Sequence, residues 1–132
     1  MRSDPNAPNG FGWTPIHSAA RNGHTEIVKI LIPLTDNPNA PGGHGETPIH
    51  WAAENGHTEI IKILAPLTDN PNAPNDYGNT PIYKAACNGY TEIVKILAPL
   101  TDNPNIPNKD GSTPFAVAKN TEIQEILKTY IN

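Results

Sequence analysis

With 132 residues, a net charge of −4 and 36% hydrophobic content, the chain is acidic, polar and no longer than one ordinary domain. Dispersed negative charge argues against a nucleic-acid binder, which carries a basic stripe. No apolar run approaches membrane-spanning length, the start MRSDPNAPNG lacks the pattern of a signal peptide, and the single Cys87 excludes an internal disulfide. The expectation is a soluble cytoplasmic or recombinant protein.

A threonine–proline pair recurs every 33 residues: Thr14-Pro15, Thr47-Pro48, Thr80-Pro81 and Thr113-Pro114. Such a period marks a stack of supersecondary units, each burying its apolar face against its neighbours. The chain therefore reads as one array over 1–132, with units at about 5–36, 37–69, 70–102 and 103–132. Within a unit, threonine suits a helix N-cap and proline the first helical position, where its missing N–H costs nothing. In the second unit the helix IHWAAEN runs to Gly56, a residue suited to a left-handed C′ position. Thr58 is expected to cap a second helix, with Glu59 complementing the helix dipole and Ile60, Ile63 and Leu64 forming its buried stripe. Pro66 ends or kinks that helix near Leu64, and Pro33 and Pro99 do the same in their units. The segment LTDNPNAPND that follows is turn chemistry, and its prolines predict a protruding loop with little ladder pairing.

These units resemble the ankyrin repeat, whose pattern G-x-TPLH-x-AA-x-x-GH and amphipathic second helix match the chain from about residue 5 to residue 131. The resemblance implies an all-α solenoid of four helix-turn-helix units with projecting fingers and a concave face. It also implies non-covalent recognition of other proteins. The chain departs from the pattern at Thr35-Asp36-Asn37 and its repeats, where Gly-Ala-Asp is usual, and at the proline that enters each second helix. The histidine of the TPLH motif is present as His17 and His50 but becomes Tyr83 and Ala116, removing a Thr-to-His hydrogen bond there.

Units two and three agree almost everywhere in the second helix and the PLTDNPN segment. They differ at Gly42/Asn75, Gly43/Asp76, His44/Tyr77, Glu46/Asn79, His50/Tyr83, Trp51/Lys84, Glu54/Cys87 and His57/Tyr90. The first unit varies at the same places, including Gly10, Phe11, Trp13, Ser18 and Arg21. Six of the eight aromatic residues fall in this set, and exposed aromatics gathered on one face mark contact sites. Trp13, Trp51 and Tyr77 are the expected anchors of a protein-binding surface. Phe11, Ser18, Arg21, His44, Glu46, Glu54, Asp76, Asn79, Lys84 and Cys87 are expected around them. A constant framework with diverse finger and first-helix positions looks like a designed binder drawn from a library, and a recently duplicated natural array looks the same. The competing reading is a repeat scaffold with no partner.

No catalytic residue, cofactor or metal is expected. Equivalent histidines sit on layers about 8–10 Å apart, too far to share a zinc ion. Cys87 has no accompanying oxyanion-hole motif, and its place is taken by Arg21 or Glu54 in other units; it reads as a surface residue. The resemblance also implies a weaker alternative, a substrate of an asparaginyl hydroxylase. Asn39, Asn72 and Asn105 follow Leu31, Leu64 and Leu97 by eight residues, the spacing such an enzyme reads, but without the acidic residue two places earlier.

The fourth unit reads as a terminal cap. It lacks three residues between Ala118 and Thr121, which should shorten the turn between its helices, and Gln124 and Lys128 replace apolar residues of earlier units. The first unit keeps Val28, Leu31 and Ile32, predicting an apolar outer face and either an excised piece of a longer array or weak self-association.

Overall fold

The computed structural model describes residues 4–131 and places eight helices in four consecutive pairs. The first pair is α1 (Pro15–Asn22) and α2 (Thr25–Leu31), the second α3 (Pro48–Asn55) and α4 (Thr58–Leu64). The third is α5 (Pro81–Asn88) and α6 (Thr91–Leu97), the fourth α7 (Pro114–Val117) and α8 (Thr121–Lys128). First helices stack on first helices and second helices on second helices, with no strand among the described residues. The core is a column of alanines from the first helices, such as Ala52-Ala53 and Ala85-Ala86, between layers of Ile, Val and Leu from the second.

Each first helix starts where the sequence places it. Thr47 is extended, its Oγ1 accepts the His50 amide, and Pro48 occupies the first turn; Gly56 closes the helix in the left-handed region at φ 78°. The second helices are not capped by threonine: in α4 His57 holds the N-cap position, Thr58 already lies in the first turn and no side chain caps the end, whereas α8 is capped by Asn120. His57 instead donates Nε2–H to the Arg21 carbonyl oxygen at 3.0 Å, satisfying an end of the previous unit's first helix. The prolines tighten the chain rather than stop it outright. Each of the first three second helices passes into a 3₁₀ turn, Ile32–Leu34, Ala65–Leu67 or Ala98–Leu100, in which the residue that lacks an N–H is tolerated at the start.

The fingers close through a few backbone bonds each, as from Asn75 N–H to the Asn79 carbonyl at 2.9 Å and from Gly78 N–H to the Asn75 carbonyl at 3.0 Å, and touch through bonds such as Asp76 N–H to the His44 carbonyl at 2.9 Å. Sparse pairing is what their prolines dictate. In the fourth unit the missing residues come out of the helix itself: α7 has four residues where α5 has eight.

The second helices have two unlike faces. Ile60, Ile93 and Ile123 are wholly buried against the preceding unit, whereas their equivalent Ile27 is 46% exposed. Val28, Ile61 and Val94 are wholly buried towards the following unit, and Gln124 takes that place where none follows. The uncovered residues of the first unit are therefore Ile27 and Ile30, the latter 64% exposed; Val28 is buried and Leu31 and Ile32 are half-buried. The sequence expectation named the wrong members of the stripe, because it counted apolar positions without separating the two faces.

Candidate protein-interaction face

The variable residues occupy the ends of the fingers and the adjoining side of the first helices. Trp13 ends the first finger and Trp51 stands on α3, with ring centroids 5.0 Å apart in an edge-to-face arrangement. Phe11 lies 5.6 Å from Trp13 and is 70% exposed. The Arg21 guanidinium sits 5.2 Å above the Trp51 ring and the Lys84 ammonium 5.7 Å from it, both within cation–π range. Both indole nitrogens are buried and meet no hydrogen-bond partner among the described residues, so the rings turn their polar edges inward.

One unit further along, the equivalent pair is ionic. Glu46 ends the second finger, and its carboxylate takes hydrogen bonds from Asn75 and, at 2.9 Å, from the Lys84 ammonium; Lys84 also reaches Glu54 at 3.3 Å. Trp13 with Trp51 and Glu46 with Lys84 are the same structural pair, 38 residues apart in both cases. Glu46 is buried and Lys84 mostly so, which makes this pair part of the frame beneath the face.

Tyr77 does not join the tryptophans. It sits at the third finger tip, 55% exposed, with its ring 5.8 Å from His44 and its hydroxyl 3.4 Å from His44 Nδ1. Ser18, Arg21, Asp76 and Cys87 are exposed, and Glu54 is half-buried beside Trp51. Asn79 is half-buried and works as a connector: its Oδ1 accepts from Asn108 at 2.9 Å and its carbonyl faces His50. The face thus carries an aromatic corner at Phe11, Trp13 and Trp51, an ionic centre, and a finger-tip pair.

Two neighbouring variable positions follow from the close approach of the first finger. A Cβ on Gly42 would stand 2.5 Å from Trp13 Cδ1 and 2.7 Å from the Gly12 carbonyl oxygen, and one on Gly43 would collide first with the Phe11 carbonyl oxygen. In the third unit, where no tryptophan arrives, Asn75 occupies the Gly42 place and its Oδ1 latches the finger through the Tyr77 and Asn79 amides, both at 2.9 Å. The glycine-rich second finger lacks that latch and holds His44 at φ 60°. Nothing in residue identity alone announces this coupling; its only trace is that glycines stand in the finger next to that of Trp13.

Behind the face, buried polar side chains tie unit to unit. His50 Nδ1 accepts the Thr47 amide at 3.0 Å, and Nε2–H donates to the Asn79 carbonyl at 3.0 Å. Burial lowers the His50 pKa from 6.5 to about 4, against the pull of Glu46 and the Asn79 carbonyl. Burial also lowers that of His17, which makes the same bond to Thr14. Tyr83, which replaces this histidine, lacks the bond to its own cap and reaches forward to Ser112 at 3.2 Å. The finger asparagines are latches too: Asn72 Oδ1 accepts from the Ile82 amide and Asn105 Oδ1 from that of Phe115, while Asn39 donates to the Leu64 carbonyl. An enzyme acting on Asn72 needs the finger to let go first.

Among the described residues no group of three or more His, Cys, Asp or Glu is placed to hold a metal ion, and no helix is long and apolar enough to cross a membrane. Comparison with curated proteins finds no match. A family model described as ankyrin repeats (three copies) matches residues 1–75 and 67–131. Paired helices stacked like on like, sparse fingers along one edge and that match together place the chain in the ankyrin repeat family.

Proposed function

We propose that the chain is a non-catalytic recognition module that holds a protein partner against its fingers and first helices. Ankyrin repeats are generally protein–protein interaction modules. The observation that carries the reading here is the aromatic corner: Phe11 is largely exposed beside the Trp13–Trp51 pair, with Arg21 laid over it. Aromatic and arginine side chains are the residues that most often anchor interfaces, and Phe11 and Tyr77 have no buried role in the fold. Trp51 is a poor probe, since its ring is packed between neighbours.

A second reading, a scaffold without a partner, draws support from the internal matching of Trp13 with Trp51 and of Glu46 with Lys84. The two separate on one experiment. Purified chain captures a partner from a lysate, and the Phe11→Ala/Tyr77→Ala variant is measured against it. Recognition predicts a loss of about 2 kcal/mol or more in binding, about 30-fold, with unfolding free energy changed by under about 0.5 kcal/mol. Unchanged binding by the variant removes this face from the interaction.

A further inference from the structure

Most side chains of the repeated PLTDNPN segment have a task in folding. The Thr35 hydroxyl donates to the Leu31 carbonyl at 2.7 Å, Asn37 and Asn103 accept the amides of Asn39 and Asn105, and Pro71 and Pro104 are buried. Two residues in each copy have none. Leu34, Leu67 and Leu100 are 54%, 48% and 47% exposed. Asp36, Asp69 and Asp102 are exposed as well, and no cation pairs with them among the described residues.

Of these, Asp69, Asp102 and Leu100 line a groove, and Leu67 lies between two of its lining residues, Pro66 and Thr68. Beneath the second and third fingers lie three adjoining hollows of about 360, 380 and 410 Å³; the first two share Thr68 and Pro71, the last two Asp69 and Leu100. The groove sets apolar residues, among them Ile49, Ala65, Leu100 and several prolines, among threonines and asparagines, and Asp69 and Asp102 edge it. Asp76 alone is common to it and the finger/first-helix face.

We infer that this groove docks an extended segment of another protein that carries lysine or arginine at every third residue and apolar residues between. Charge complementarity asks for the cations, because Asp69 and Asp102 have no ionic partner among the described residues. The interval follows from register. Successive units stack about 8–10 Å apart, and a polyproline-II chain advances about 9 Å per three-residue turn. One turn of ligand therefore spans one unit, bringing successive cations to Asp69 and Asp102 and an apolar side chain beside Leu100. Strand addition is disfavoured, since Pro66, Pro71 and Pro74 offer no N–H to an incoming strand. The ligand is held by side chains.

The test is fluorescence anisotropy with a labelled peptide of repeated Lys-Pro-Leu, against a peptide of the same composition with its lysines gathered at one end. Saturable binding of the first, with the second weaker by about fivefold or more, is expected. Asp69→Asn/Asp102→Asn and Leu67→Ser/Leu100→Ser should each weaken the repeated peptide by a similar factor while leaving the melting curve in place, and Phe11→Ala should leave its binding unchanged. Equal binding of both peptides would reduce the effect to the net charge of −4 and overturn the inference. Variants that bind like the parent, or no saturable binding at low salt, would overturn it too. So would loss of self-association in Leu67→Ser/Leu100→Ser without any peptide binding, which would make a second copy the occupant.

Discussion

His50 shows how one side chain does two jobs. Its Nδ1 needs to be bare to accept from Thr47, and its Nε2 needs a proton to donate to Asn79, so only the neutral ring fits. Protonation would set a second N–H against the Thr47 amide. The folded pKa of about 4 against 6.5 in the unfolded chain means that the unfolded state takes up the proton first as pH falls. Stability from this residue is complete above pH 6.5, declines through the interval down to about 4, and is gone below it. At about 1.4 kcal/mol per pH unit the loss comes to a little over 3 kcal/mol. Urea unfolding between pH 7 and pH 4 should show that decline, and His50→Asn should make it shallower, the remainder coming from His17; an equal slope in the variant would refute the assignment. The local bond to Thr47 was legible in the spacing of TPIH. The forward bond to Asn79 was not, because its acceptor is a backbone carbonyl and side-chain identity does not encode where that lies.

At the level of elements, the lesson is that finger and helix positions 38 residues apart meet across the boundary between units. The pair is aromatic at Trp13 and Trp51 and ionic at Glu46 and Lys84. Lys84→Ala leaves the buried Glu46 carboxylate with only the Asn75 amide, and should cost about 3 kcal/mol in chemical denaturation. Lys84→Met combined with Glu46→Gln should recover most of that, since no charge is then stranded; a double variant as unstable as the single one would argue against the pair. Helix positions, the turn at Gly56 and the effect of Pro66 were readable from local chemistry, which acts within a few residues. Thr58 misled as a cap because the chain satisfies that junction from the next unit, through His57. The burial of Glu46 was hidden for the same reason: both partners that pull it inward lie in the following repeat.

Over the whole molecule, stability is a chain of interfaces between neighbours, and the first unit has one fewer than the second or third. Ile27 and Ile30 are left facing water on α2. Amides of α2 should accordingly exchange faster than those of α4 and α6, and any concentration-dependent sedimentation should vanish in Ile27→Glu/Ile30→Lys. Uniform exchange across the three helices, or a strict monomer at high concentration, would count against this. The four-unit plan was legible because a 33-residue period survives any local ambiguity; the handedness of each unit was not, since front and back differ only in which isoleucine is covered. That difference gives the array a direction of growth. A spare copy of the second unit spliced upstream of the first would find a waiting isoleucine surface, whereas the same copy joined after α8 would have to settle on glutamine and lysine. Longer versions of this protein can be built from one end alone.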